Sequence, residues 1–227
     1  GSAFPIDREL TTNLMAFKQL KVNAVAAQMS KGKLEKSTAM ALSSIGSSLA
    51  KMSMDICLYM GQDFDFISFP SDLTTGSSIM PHKKNPDLFE LVRGKCNTLQ
   101  ALPNQLALLT TNLPSGYHRE LQLAKGPMID AVQELKACLD ILLFSLPQLR
   151  VTQNSTDQKK YDYLFSVDTL NAEVIAGKPF RDAYREIGEA IENGSYIPNR
   201  ALNHTHLGSI GNLGLEVIRA KMKPLRE

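Results

Sequence analysis

The 227 residues are 43% hydrophobic and 21% charged, and 25 Lys and Arg against 23 Asp and Glu leave a formal charge of +2. This is the mix of a folded globular chain, one long enough to bury roughly 70% of its unfolded surface, and it excludes disorder and collagen-like repeats. The even balance offers no long-range attraction to nucleic acid or to a membrane surface, so neither is expected as a partner. Cys57, Cys96 and Cys138 are widely spaced with no Cys-x-x-Cys, and they read as reduced, mostly buried thiols of a cytoplasmic protein. No run of about eighteen apolar residues and no secretory leader pattern is present. The chain opens Gly1-Ser2 without a methionine, which fits an expression scar or a cut through a longer protein.

Apolar residues at spacings of three and four (Leu10, Leu14, Phe17, Leu20, Val25) predict an amphipathic helix from Asp7 to about Met29. A second helix is predicted from about Leu34 to Met60, roughly 40 Å long at 1.5 Å per residue. Its stretch from Ser37 to Ala50 carries no charge and is rich in Ser, Ala and Gly, which suits close helix approach on several sides inside a bundle or an oligomer. From Gln62 to Asp87 the periodicity stops amid Phe, Pro and Gly, marking a loop too long for a mere connection. A third helix reads from about Leu88 to Thr110, bent at Pro103. Pro127 then opens a fourth, with Met128, Val132, Leu135, Leu139 and Leu142 on one face. Shorter helical patterns follow at about 158–176 and 180–193, and a closing helix reaches about 222. The expected fold class is all-α: a long-helix bundle over 1–150 with a distinctive loop at 70–88, then a small helical domain over 151–227.

Chemistry concentrates in that loop. Gly76 followed by the hydroxyls of Ser77 and Ser78, then Lys83, Lys84 and Asn85, makes a loop suited to handling an anion. The plain alternative is a solvated polar loop in which Asn85-Pro86-Asp87 marks the start of a helix. His204-Thr205-His206 has no third ligand, so no metal is expected.

The string Gly76-Ser77-Ser78-Ile79-Met80-Pro81-His82-Lys83-Lys84-Asn85-Pro86 resembles the signature of the fumarase/aspartase/argininosuccinate lyase superfamily, Gly-Ser-Ser-x-Met-Pro-x-Lys-x-Asn-Pro. Within it, Leu113-Pro114-Ser115-Gly116-Tyr117 with Leu121, Gln122 and Lys125 is similar to a stretch of the argininosuccinate lyase family. So are Asp7-Arg8-Glu9 and the segment from Gly177 to Ala183. The resemblance implies reversible elimination of argininosuccinate to arginine and fumarate, with no cofactor, in a homotetramer whose active sites draw on more than one subunit. It assigns Ser77 as the base, Lys83 and Asn85 to a substrate carboxylate, Ser78 to the substrate, and Tyr117, Gln122 and Lys125 to the substrate's polar ends. Glu90 matches an acid that supports a catalytic histidine, and equally suits the first turn of a helix. Arg8 reads either as a carboxylate contact or as a salt bridge between helices.

Two other signature regions of the superfamily, one holding its proton-transfer histidine, lie upstream of the position matched by Gly1. His82, His118, His204 and His206 do not replace that histidine. The resemblance is therefore to a C-terminal half, inactive alone. Adenylosuccinate lyase or fumarase, which share the loop, and a non-catalytic structural relative are the competing readings.

Overall fold

The computed structural model describes residues 3–202 and 204–225. The fold is all-α: α1 (Arg8–Leu14), α2 (Ala24–Met29), α3 (Lys33–Tyr59), α4 (Asp87–Leu99), α5 (Leu102–Leu109), α6 (Lys125–Ser145), α7 (Ser166–Ile175), α8 (Phe180–Glu192) and α9 (Leu215–Met222), linked by loops and 3₁₀ turns. One antiparallel ladder, which no alternating pattern announces, pairs β1 (Ile67–Ser68) with β2 (Arg150–Val151) in the register Ile67 to Val151. The chain divides into two compact units, Gly1–Gln153 and Asn154–Glu227.

In the first unit α3 is the axis, 27 residues long and packed on α4, α5 and α6. Its buried residues are Ala39, Gly46, Ala50, Ser53 and Ile56, a stripe of mostly small side chains that brings the backbones together. At Gly46 a Cβ would stand 3.2 Å from the carbonyl oxygen of Cys96 on α4, so only glycine fits without a backbone shift. Two apolar clusters flank this contact. One gathers Ile56, Phe69, Phe89, Val92, Cys96, Cys138 and Leu142, and the other Ala39, Leu99, Leu102, Leu106, Ala131 and Leu135. On the opposite faces Met40, Ile45 and Met54 of α3, Leu91 of α4 and Leu143 and Phe144 of α6 are exposed.

Three element boundaries differ from expectation. The helix predicted over 7–29 is broken: Ala16 turns left-handed at φ 55°, and a new helix begins where the Asn23 side chain accepts from the Ala26 amide at 2.9 Å. The bend expected at Pro103 falls earlier, at Gln100 and Ala101. Pro103 instead occupies the first turn of α5, where a missing amide donor costs nothing. The pattern at 158–176 is 3₁₀ over Lys159–Phe165 before α7 begins.

In the second unit α7 packs on α8, and Lys178 in their short connection pairs with Glu173 and Glu186. Arg200 lies over the Phe165 ring at 5.0 Å and donates to the Thr156 carbonyl at 2.7 Å and to the Asp162 carboxylate at 2.5 Å. His204 is engaged by the Asp168 carboxylate. Among the described residues no three His, Cys, Asp or Glu side chains form a metal-binding group.

Phe89 is fully buried and meets Phe69 with ring centroids 4.7 Å apart. Phe89→Ala should lower stability by about 3–5 kcal/mol, read by urea unfolding at fixed protein concentration. A change below about 1 kcal/mol would show that the pair does not organise this end of the unit.

Candidate active site

The loop between β1 and α4 is closed at its base twice over. Phe69 and Phe89, one on each limb, pack against each other inside the core with their rings tilted by 41°. Further out, Thr75 and Asn85 form an antiparallel bridge, with the Asn85 amide donating to the Thr75 carbonyl at 2.8 Å and the reverse bond at 3.3 Å. The Thr75 hydroxyl also donates to the carboxylate of Asp87 in the first turn of α4. Within this frame the Ser77 Oγ accepts from two backbone amides, Ile79 at 3.2 Å and Met80 at 3.1 Å. Two fixed N–H donors aimed at a hydroxyl oxygen stabilise negative charge on it, which is what a serine must carry to act as a base. Asn85 donates its side-chain amide to the Gly76 carbonyl at 3.4 Å, holding the glycine beside Ser77. Ser78 is exposed.

The far limb of the loop lines a cleft of about 650 Å³, with Met80, His82, Lys83 and Asn85 facing Cys57 and Met60 at the end of α3. Glu90, on the first turn of α4, is exposed; burial raises the Cys57 thiol above its ordinary pKa, Arg93 pulls it back, and Glu90 adds a smaller push upward. Cys96 and Cys138 are buried, and burial is the main reason that the Cys96 thiol is pushed up to about 12.

Tyr117, Gln122 and Lys125 line a different cleft, of about 440 Å³, together with Lys31, Leu34 and Glu35. Gln122 Nε2 donates to the Tyr117 hydroxyl at 2.7 Å, and the Lys31 ammonium sits 4.7 Å from the Tyr117 ring centroid. Lys31 escapes a reading of the sequence, since nothing local marks it and it lies far from Tyr117 along the chain. A third crevice, at the break between α4 and α5, is lined by the paired Lys95 and Glu134 and holds none of the candidate residues.

The candidates thus fall into two groups at opposite ends of α3. Leu34 lines the Tyr117 cleft and Cys57 lines the loop cleft, and the intervening helix spans about 35 Å at 1.5 Å per residue. Arg8 is in neither cleft: its guanidinium donates to the carbonyls of Lys21 at 2.6 Å and Val22 at 2.7 Å, closing the segment between α1 and α2.

This arrangement has relatives. Residues 1–100 match a lyase family. An argininosuccinate lyase of Parabacteroides distasonis is 50% identical over 98% of this chain and 50% of its own length, and that of Phocaeicola vulgatus is 47% identical with the same coverage. Over nearly its whole length the chain is similar to these argininosuccinate lyases. It spans about half the length of the curated relatives it matches. A fumarate lyase:delta crystallin structure from Brucella melitensis superposes with a TM-score of 0.66 at 18% identity, covering 82% of this chain and 42% of that one, which shows a shared fold. No helix among the described residues is long and apolar enough to cross a membrane.

The burial of the thiols gives a direct check on this part of the structure. Of the three cysteines, only half-buried Cys57, at the loop cleft, should react with a disulfide reagent at pH 8 in the native chain, and all three should react in urea. Rapid native reaction of Cys96 or Cys138 would contradict the packing of α4 on α6.

Proposed function

We propose that the complete protein is an argininosuccinate lyase and that this chain is its C-terminal half. The observation that carries the reading is the 50% identity to such an enzyme along 98% of the chain. The two-amide support of Ser77 adds a chemical reason. Adenylosuccinate lyase and fumarase share the loop, and the Tyr117, Gln122 and Lys125 cleft favours the argininosuccinate enzyme over both.

In this reading Ser77 Oγ removes a proton from the carbon next to a substrate carboxylate. The electron pair forms the carbon–carbon double bond of fumarate as the carbon–nitrogen bond breaks. The guanidino nitrogen leaves with a proton from a general acid outside this chain, and arginine is released. The Ile79 and Met80 amides stabilise the serine alkoxide, and Lys83 with Asn85 offsets the charge that builds on the carboxylate as the proton departs. Ser78 supplies a further hydroxyl to the substrate, and Glu90 supports the histidine of the missing half.

A single small substrate cannot bridge about 35 Å, so the loop of one subunit works with the Tyr117 cleft of another. The exposed apolar residues of α3, α4 and α6 are suited to the helix contacts of such a homotetramer. The three unpaired thiols suit a reducing cytoplasm.

The chain alone should form no fumarate detectable by ultraviolet absorbance, and robust turnover would mean that one of its own histidines serves as the proton donor. In the protein made from the whole reading frame, Ser77→Ala should lower kcat by about 10²–10⁴-fold with KM changed by less than about threefold. Near-normal turnover would remove Ser77 from the role of base.

A further inference from the structure

Lys31, in the Tyr117 cleft, is set in place by the backbone on either side of it. It stands in the turn between α2 and α3, where its amide donates to the Gln28 carbonyl at 3.1 Å. The next residue, Gly32, is buried at φ 82°, and a Cβ there would lie 2.5 Å from the Thr110 Cγ2. Only glycine meets both demands. The Gly32 amide donates to the Glu35 carboxylate at 2.7 Å, which closes the turn. With the backbone fixed on both sides, the Lys31 side chain extends over Tyr117, its ammonium 4.7 Å from the ring centroid. At that distance a cation is attracted by the face of the aromatic ring.

The hydrogen bonding of Tyr117 gives the contact a direction. Its oxygen accepts from Gln122 Nε2 at 2.7 Å, so the phenol's own proton is free to donate elsewhere. Lys31 and Lys125, which share the cleft, carry donors only and cannot receive it. Thr38 turns its hydroxyl back to the Leu34 carbonyl at 3.0 Å. Glu35, the carboxylate that lines the cleft, is turned to the Gly32 amide at 2.7 Å, and beside it Tyr117, Lys31 and Lys125 present three donors, two of them charged, so that positive charge outnumbers negative in the cleft. The matching ligand end is an anionic acceptor, and a carboxylate is the simplest.

We propose that Lys31 is a positioning residue of the substrate cleft: it holds the Tyr117 ring by its face, so that the phenol donates into the cleft, and with Lys125 it supplies a second positive charge toward a substrate carboxylate. The substrate part of this proposal rests on the lyase reading above; the contact between Lys31 and Tyr117 does not. The effect is on binding of the substrate end remote from the bond that breaks, so it appears in KM and leaves kcat.

Two measurements separate these parts. In the protein made from the whole reading frame, Lys31→Met should raise KM for argininosuccinate about fivefold, the size of an exposed cation–π contact, with kcat within about twofold. Lys31→Arg, whose guanidinium also stacks on aromatic faces, should restore KM to within about twofold of the parent. In the 227-residue chain labelled with fluorotyrosine, the Tyr117 resonance, assigned by its loss in Tyr117→Phe, should shift in Lys31→Met and return toward its parent position in Lys31→Arg. An active parent whose KM is unmoved by Lys31→Met overturns the positioning role, and so does a Tyr117 resonance that ignores the substitution. A parent with no lyase activity overturns the functional reading instead, and the fluorine shift then decides the contact by itself.

Discussion

The first unit depends on the close approach of α3 to α4. Where Gly46 faces the Cys96 carbonyl, a Cβ would stand 3.2 Å from the oxygen and could enter only if the α4 backbone gave way, and the flanking Ala39, Ala50 and Ser53 are fully or almost fully buried. This contact anchors α3, which is about 40 Å long, and with it the features at each of its ends. At one end Phe69 and Phe89 clamp the loop that carries Ser77, and at the other the turn at Gly32 packs against Thr110 and Leu121, beside the Tyr117 cleft. Small residues bury little apolar area, so most of the apolar burial around the contact comes from the larger members of the two clusters on either side of it.

The chemistry of the loop follows from how few degrees of freedom it keeps. Beyond the aromatic clamp, the bridge from Thr75 to Asn85 encloses only the segment 76–84, and the turn at its start aims the Ile79 and Met80 amides at the Ser77 oxygen. Donors fixed in this way need no reorganisation when charge develops, which is where their advantage over water lies. Beyond the turn, Ile79 and the Met80–Lys84 segment are exposed, so the part of the loop that would meet a substrate is also the part with the fewest contacts.

Much of this was legible in the sequence, for physical reasons that also explain the failures. α3 could be read because its apolar spacing and its charge-free stretch are local properties. The loop could be read because Pro and Gly interrupt that spacing. The break between α1 and α2 could not, because Phe17, Leu20 and Val22 keep the helical spacing while the Arg8 guanidinium, a contact across thirteen and fourteen residues, holds the Lys21 and Val22 carbonyls outside a helix. Pro103 was misplaced because periodicity registers a break without saying which side of it the proline occupies. The motif placed Ser77, but its two amide partners depend on the geometry of the turn. The separation of the two clefts needs both the helix length and the packing at each end, and neither Lys31 nor Gly32 carries a signal of its own.

The central claim is that the loop and the Tyr117 cleft, about 35 Å apart in one copy, work together only between copies. The most direct test is complementation. Two variants of the complete protein, Ser77→Ala, impaired in turnover, and Tyr117→Ala, impaired in substrate binding, are unfolded together, refolded as a mixture and assayed for fumarate formation at argininosuccinate concentrations low enough that each alone is nearly inactive. If sites are shared, mixed oligomers contain some sites that draw an intact loop from one subunit and an intact cleft from another, and activity well above that of either variant refolded alone should return. If the mixture stays as inactive as its parts while wild-type protein regains activity under the same treatment, each site is built within a single copy and the account is wrong.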